Sequence, residues 1–596
     1  FLVALGFILL GWIGVRALLT PAYEASRSDI LLLSMAASAF LSLRAAINSR
    51  AAQRILVFGL AAILAASIGI ICKQLIDPTY SPVFPNDKAR FPAGFFAHYS
   101  YGAAFLIPSS LILAGFALFS KEHLTSRILF GLVSLAGMVA VYFTKSRGGF
   151  IGMGAGVGVL LVSSLFVGGR DRRRWFGPGI IIIPVLLVAL SLLFFSWLSQ
   201  VEETRSGSGN IAGMLDNNIR LYLIGIAISC IGAHPLCGGG SRSFSWECFR
   251  FWDTTAMGWG KAKPEHVHNE LLQTATDYGI IGVSILLVFL VSACLVAGLR
   301  LAMEKSTSGD RQEDAWRIGG LAAFAGLLTQ SNFEGIFRIP PEAAMLGLCL
   351  AAICIPSAMP DREAPRFRLT SLLLSALSIA LAVPLLAFGW KGSLVSRILW
   401  PSHFSHAEVG LETKADALSQ AVSVWALPSL YQERAKINQT LASREPESLN
   451  RDEFLRSSLT DYQKAGELNP TDPEIAIGVG NILSVIGRNP EAEAEFRRAI
   501  DLQGEMEPTF FARTLFARHL CRKGYSELSD SDFLIALGTF QLAAEQTDWI
   551  VELFGYSYSS EENLRTHVRI HQGMGLSFEM IGDLKSAIAE YDLASK

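Results

Sequence analysis

From Phe1 to about Trp390 the chain alternates long apolar runs with short polar interruptions. Beyond Trp400 the runs give way to amphipathic spacing rich in Glu, Lys, Arg and Gln. A helix needs about 20 mostly apolar residues to cross the hydrocarbon of a bilayer. On that measure the pattern predicts eleven spans, near 1–20, 28–46, 53–73, 98–120, 126–144, 148–168, 177–198, 281–302, 316–331, 341–357 and 369–390. The first residue is Phe rather than Met, so the true N-terminus is expected to lie upstream.

Lys and Arg in short loops set the orientation of such spans, because basic loops stay on the cytoplasmic side. Here they fall in alternate loops: Arg50 and Arg54; Lys121 and Arg127; Arg170, Arg172, Arg173 and Arg174; Arg300, Lys305 and Arg311; Arg362, Arg366 and Arg368. A single basic run reads as an ordinary solvated face, but five in phase give a topology. The loops 21–27, 74–97, 145–147, 199–278 and 332–340 then face outward. Four spans separate the long loop 199–278 from the C-terminal segment, so both are expected on the same outer side. Transport sites place ionisable residues near span centres. These spans have almost none there, which argues against a transporter.

After about Leu411 the pattern predicts amphipathic helix pairs. Tyr462, Ala465 and Leu468 recur as Phe496, Ala499 and Leu502, each displaced by 34 residues. The turn from Asn469 to Pro473 ends one helix and starts the next. A last hairpin is expected at 563–595, where Tyr591 and Ala594 repeat the spacing, and 411–441 reads as a degenerate first unit followed by an insert at 442–451. Period and pattern resemble tetratricopeptide repeats, whose stacked hairpins offer a concave surface to a protein partner. The plain alternative is a self-packed lid or a dimerisation element. The expected division is a membrane domain over 1–398 and a helical-repeat domain over 399–596, giving an all-α fold: a polytopic helix bundle with a large outer loop and a C-terminal stack.

Composition sharpens this picture at three points. Hydrophobic residues make up 51% and charged ones 17%, which fits a membrane part plus a soluble part. A net charge of −2 gives no footprint for nucleic acid. Of eight cysteines, Cys72, Cys294, Cys349 and Cys354 lie in or beside apolar runs and read as small buried hydrophobes. Cys237 and Cys248 share one polar loop, where they are either a pair formed in an oxidising compartment or two unrelated thiols. No C-x-x-C occurs.

Four polar clusters fall on the outward face. They are the stretch from Arg90 to His98 and Tyr99; Thr144 to Gly149, with Ser146 and Arg147; Arg220 and Tyr222, leading to His234-Pro235-Leu-Cys237-Gly238; and His266 to Gln273, followed by Asp277 and Gly279. Each has a bland reading. An Arg at a span end snorkels to headgroups, a Gly pair lets helices approach, and a lone His is commonly structural. Together, several cations and histidines at one membrane face suit an anionic lipid headgroup, since guanidinium groups bind phosphate oxygens bidentately and keep their charge. The run 269–278 reads as helix with Asn269 as cap and His268 at its N-terminus. The positive end of the helix disfavours imidazolium there, leaving a neutral imidazole able to act as a general base. A metal-dependent transferase would want outward carboxylates. The only D-x-D, Asp530-Ser531-Asp532, lies in the repeats and reads as a helix cap, and His266-x-His268 is at most half a zinc site.

The pattern His268-Asn269-x9-Gly279 resembles the signature of the O-antigen ligase and O-antigen polymerase superfamily. The Gly94 to His98 stretch, Ser146-Arg147-Gly148-Gly149 and His234-Pro235-Leu-Cys-Gly238 are similar to its other blocks, in the same order, over roughly residues 1–390. The resemblance implies a membrane glycan transferase in the bacterial inner membrane, working at its periplasmic face. It would take glycan from a polyprenyl-diphosphate carrier and hand it to an acceptor hydroxyl with inversion, using no metal and no other cofactor. Its acceptor would be another glycan, lipid A-core or a protein. It also implies that His268 is the base, that Arg147 and Arg220 hold the diphosphate, and that Arg90 and His98 line the donor site, with Ser146, Asn269 and Tyr222 as further substrate-binding candidates. Ile280 stands where Leu or Thr is usual, and Asp277 where Glu is frequent. Eleven spans are fewer than the usual twelve or more, and the repeat domain is absent from the simplest ligases, which bears on the acceptor. The alternative of another class is a non-catalytic scaffold whose repeats recruit envelope partners.

Overall fold

The computed structural model describes residues 2–46, 49–81, 91–96, 98–167, 211–251, 266–303, 311–355, 365–403, 409–444, 449–503, 511–527, 530–554 and 561–595. The described residues are helical, with no strand among them. The first part comprises α1 (Leu2–Leu18), α2 (Tyr23–Ala46), α3 (Arg50–Ile76), α4 (Tyr99–Phe119), α5 (Leu124–Phe143), α6 (Arg147–Val167), α7 (Ile211–Ala233), α8 (Glu270–Met303), α9 (Arg311–Ser331), α10 (Pro340–Ile353) and α11 (Pro365–His403). Among the described residues, seven helices are long and apolar enough to cross a membrane: Ser28–Ala46, Arg50–Ile76, Tyr99–Phe119, Leu124–Phe143, Arg147–Ser164, Glu270–Val296 and Leu372–Leu399. The chain is thus a polytopic helical membrane protein.

Three of the four other expected spans are helices that fall short by themselves. In α1 the apolar stretch is Leu5–Leu18. Helix α10 has only 14 residues, about 21 Å at 1.5 Å per residue. Helix α9 opens on charged Arg311, Glu313, Asp314 and Arg317. The expected span at 177–198 lies outside the described residues. What α9 lacks in hydropathy it makes up in contact, for it lies between α4 and α6 with backbones in near touch. A Cβ on Gly115 would come within 2.6 Å of the Ala315 carbonyl oxygen, and one on Gly152 within 2.6 Å of that of Gly326. Small residues at such crossings let dispersion replace the hydrophobic drive that lipid removes. Helix α4 is the other central helix, buried along most of its length with Phe105, Leu111 and Phe116 in the core.

The two ends of the bundle differ in chemistry. At one end arginines cap helix C-termini, where the last carbonyls lack intrahelical donors. Arg127 Nε donates to Ala117 O at 3.0 Å, Arg44 Nη1 to Cys354 O at 3.2 Å and Arg317 Nε to Ile355 O at 3.0 Å. Arg54 pairs with Glu122 at 2.9 Å at the same end. The loops at 18–22, 91–96, 144–146, 234–243 and 332–339 gather at the opposite end. Two cysteine expectations are corrected: Cys72 and Cys294 are exposed on the outer surface of the bundle, whereas Cys349 is buried. Apolar runs alone do not distinguish a lipid-facing residue from a packed one.

Helix α11 runs on for 39 residues and carries the chain out of the bundle into a second helical part. Val395 packs there with Leu418, Ala421 and Leu430, and Phe388 meets Trp425 with ring centroids 5.8 Å apart. The helices that follow are α12 (Leu411–Val424), α13 (Pro428–Arg444), α14 (Leu449–Leu468), α15 (Pro473–Val485), α16 (Asn489–Gln503), α17 (Phe511–Glu527), α18 (Asp530–Phe554), α19 (Glu561–Met580) and α20 (Leu584–Ser595). Each packs on the next, and α13, α15, α17 and α19 also touch in series, as stacked hairpins do. Tyr462, Ala465, Phe496 and Ala499 are buried as their 34-residue spacing predicts. Aromatic rings lie against glycines of the neighbouring helix: Tyr462 over Gly478, Phe496 against Gly480 and Phe540 over Gly573. Asp472 caps α15 by accepting from Glu474 N at 2.9 Å. Because α13 reaches Arg444 and α14 begins at Leu449, the expected insert at 442–451 shrinks to 445–448, outside the described residues. Asp532, expected in a cap, accepts from Lys523 Nζ at 3.2 Å.

Candidate functional site

The site end is organised by a break in α8. Gly279 has φ 72° and ψ −176°, so the helix stops for one residue and resumes. That break frees backbone groups on both sides, and buried free groups must find partners. The loop after α7 supplies them. Gly239 N donates to Thr276 O at 2.9 Å and Gly240 N to Asp277 O at 3.0 Å, while Ile280 N donates to Pro235 O at 2.9 Å and Ile281 N to Leu236 O at 3.3 Å. Contact is close enough that a Cβ on Gly279 would overlap the Leu236 carbonyl, and one on Gly238 the Asp277–Tyr278 peptide. Helix α1 clamps the same loop: Arg16 Nη2 donates to Gly238 O at 2.7 Å, and Thr20 Oγ1 accepts from Ser241 N at 2.7 Å.

Beneath the loop lies a buried charged network. Arg338 donates from Nη2 to Asp277 Oδ2 at 2.6 Å and stands 4.0 Å from Glu270 Oε2. Asp29, at the start of α2, accepts from Ser241 Oγ at 2.5 Å, from the Tyr278 hydroxyl and from Arg242 Nε at 3.3 Å. Burial works against the Arg338 charge, yet the carboxylates of Asp277, Asp29 and Glu270 hold its pKa above the ordinary arginine value. A buried ion pair of this kind is costly to break, because removing one member leaves the other charge uncompensated.

His268 stands on this platform. Its backbone takes the left-handed conformation, φ 58°, unusual for a residue other than glycine. Immediately after it, Asn269 caps α8 as its position predicts: Oδ1 accepts from Leu271 N at 3.1 Å and Leu272 N at 3.0 Å, and Nδ2 donates to Asn332 O at 3.3 Å. The imidazole is 44% exposed, so it is open to a ligand, and its Nδ1 lies 3.8 Å from Glu334 Oε2. His266 instead packs beside Gly335.

The Ser146 cluster meets the same turn. Ser146 Oγ accepts from Gly149 N at 3.0 Å and so caps α6, whose first residue is Arg147. A Cβ on Gly148 would lie 3.0 Å from Phe333 Cβ and 3.4 Å from Glu334 Cγ. Glu334 therefore sits between His268 and the start of α6. Gln330 Nε2 donates to Ser100 O at 2.9 Å, which brings in the first turn of α4. His98 caps that helix, its Nδ1 accepting from Ser100 N at 3.3 Å, and its ring lies against Tyr99 and Tyr101. The preceding loop is held by Gln74, whose Oε1 accepts from Ala93 N at 2.9 Å and Gly94 N at 3.0 Å. The N-termini of α4, α6 and α8 thus open on one region, and their partial positive charges favour an anion.

His268, Asn269, Ser146, Arg147 and His98 are accordingly brought to one end of the bundle. Arg90 lies outside the described residues. Arg220 is placed by its backbone on α7, and nothing is described of its side chain. Tyr222 is half-buried against the small apolar cluster that includes Leu223, Phe244, Cys248 and Val267. Cys237 is exposed, Cys248 is buried, and neither is in a disulfide. No group of three His, Cys, Asp or Glu able to hold a metal occurs among the described residues. Glu334, Arg338, Glu270 and Asp29 are site residues that sequence reasoning does not single out. The signal available for the first two was a carboxylate and a guanidinium in an outward loop of only nine residues, 332–340.

No curated protein matches the chain. A protein-family model does: residues 130–287, which hold Ser146, Arg147, Arg220, His268 and the Gly279 break, match the O-antigen ligase family, so this part of the membrane domain is similar at the family level to enzymes of O-antigen ligase-type glycosyl transfer.

Proposed function

We propose that the protein transfers glycan from a polyprenyl-diphosphate carrier to an acceptor hydroxyl at the periplasmic face of the bacterial inner membrane, with His268 as general base. The observation that carries this reading is the placement of an open imidazole beside Glu334 at the end of the bundle where the Arg147 turn and three helix N-termini meet. The opposite end bears the arginine-capped loops, which the positive-inside rule assigns to the cytoplasm.

In the proposed step the acceptor oxygen attacks the anomeric carbon from the side opposite the diphosphate. The new C–O bond forms as the bond to the diphosphate oxygen breaks, and the anomeric centre inverts. The acceptor proton passes to His268, and the polyprenyl diphosphate leaves with the bonding pair. Glu334 would stabilise the imidazolium so formed, as a carboxylate behind a catalytic histidine does. Arg147 and Arg220 would bind the diphosphate and offset its growing charge, with planar forks matched to phosphate oxygens. Ser146, His98 and Asn269 set the helix ends that face the donor; Arg90 would line the donor site with His98, and Tyr222 would add a substrate contact. No nucleotide, metal or other cofactor enters the step. Residues 1–398 carry the chemistry, and 399–596 form tetratricopeptide-like repeats on the same side that receive a protein partner or the growing product.

The acceptor follows from what accumulates in cells lacking the protein. Single lipid-linked repeat units identify a polymerase, finished long chains a ligase, and loss of glycan from Ser or Thr a protein O-oligosaccharyltransferase. Normal lipid-linked glycan and normal surface polysaccharide in that strain would contradict the proposal and favour a scaffold.

A further inference from the structure

The left-handed backbone at His268 needs something to hold it, since an L-residue favours other conformations. Asn269 fixes the chain on the C-terminal side of His268. On the N-terminal side the hold comes from Gln273, one turn into α8. Its Oε1 accepts from Val267 N at 2.8 Å, a buried contact. Its Nε2 donates to both oxygens of Asp277, at 3.2 and 3.1 Å. Asp277 is itself 0% exposed and anchored by Arg338 at 2.6 Å. Only one orientation of the Gln273 amide satisfies both neighbours, because the Val267 N–H needs an acceptor and the Asp277 carboxylate needs a donor.

We propose that Gln273 is a positioning residue for His268: clamped by Asp277 and Arg338, it grips the Val267 amide and so fixes the strained turn that presents the imidazole. The inference rests on the reading of His268 as base. Gln273 itself, 2% exposed, lies beneath the turn and acts through the backbone. A carboxamide is required here. A Glu would set a second carboxylate against Asp277, and a Leu or Met would leave both Val267 N–H and Asp277 short of a partner.

The test uses the full chain in nanodiscs, with lipid-linked glycan extracted from cells lacking the protein as donor. Gln273→Leu and the longer Gln273→Met are made alone and combined with His268→Ala. Hydrogen exchange at the Val267 amide and single-turnover release of polyprenyl diphosphate are both read. In the single variants that folds, Val267 exchange should quicken roughly fivefold to tenfold, as loss of one side-chain hydrogen bond implies. Turnover should fall roughly ten- to a hundredfold, as for a misplaced catalytic group, with the donor concentration for half-maximal rate little changed. On the His268→Ala background the same substitution should cost no further turnover. Unchanged Val267 protection overturns the clamp whatever His268 does, and an equal loss of turnover on the His268→Ala background shows that Gln273 acts through something else. Full turnover in His268→Ala alone contradicts instead the assignment of the base, so the two failures fall on different observables.

Discussion

Removing the His268 imidazole takes away a proton acceptor and leaves the arginines in place. His268→Ala should therefore lose roughly 10²–10⁴-fold in turnover with little change in donor affinity. Arg147→Ala and Arg220→Ala should weaken donor binding as well, and Lys at either position should restore only part, since an ammonium lacks the planar fork. His266→Ala is the control: packed beside Gly335, it should keep most activity. Steady-state kinetics and donor binding on the four variants check this, and a dispensable His268 beside an essential His266 would reverse the assignment. A second residue-scale prediction lies far from the site. Burial lowers the pKa of His519, whose Nδ1 meets Ser484 Oγ at 2.8 Å; Arg522 and Lys523 act in the same direction, against Glu493 and Asp532. The unfolded chain then binds the proton more tightly than the folded one. Stability is complete above about pH 6.5 and declines as pH falls through the folded value. Protection factors of the 511–527 amides, taken relative to the intrinsic exchange rate at each pH, should fall between pH 8 and pH 5.5, and His519→Gln should flatten that dependence.

At the scale of elements, the interlock between the Pro235–Gly240 loop and the break in α8 is the most demanding feature. Gly279→Ala combines a left-handed residue with overlap on Leu236, and Gly238→Ala overlaps the Asp277–Tyr278 peptide. Both should lose donor binding and turnover together and raise exchange over 234–243. Gly225→Ala, with open space around its Cβ, should be neutral or slightly stabilising. Activity in Gly279→Ala would show that the loop tolerates a different register. The interlock also marks how far the sequence is legible. Apolar runs locate α2 to α6 and α8 because lipid demands length, and Asn269 reveals its cap because capping is local. The break at Gly279 is held by hydrogen bonds to residues some 40 positions earlier. Likewise α10, with 14 residues, departs from its expected span because neighbouring helices shield what its length does not. Glu334 and Arg338 are hard to read for the same reason: their partners, His268, Asp277 and Glu270, lie more than 60 positions earlier in the chain.

Across the whole molecule, the site and the repeats are expected to share one side of the membrane. In a cysteine-free background, single cysteines at Asp77 and Lys585 should react with an impermeant thiol reagent from the periplasm, and ones at Arg54 and Lys121 should be protected; the reverse would move the chemistry to the cytoplasm. The repeats should also be separable from the chemistry, because their helices bury their own rings and small residues. A chain ending near His403, which keeps α11 whole, should insert and release polyprenyl diphosphate from a lipid-linked donor, with altered product length or partner recruitment. If it inserts but is inert, the stack belongs to the active site. Beneath these expectations is one claim, that this face breaks a polyprenyl-diphosphate bond with His268 as base. The direct measurement is release of polyprenyl diphosphate by purified protein in nanodiscs, given lipid-linked glycan from cells lacking it, with chelator present and no nucleotide sugar. The natural protein should release polyprenyl diphosphate together with a larger or transferred glycan, and His268→Ala should do almost neither. No release by the natural protein, or equal release by His268→Ala, would contradict that claim.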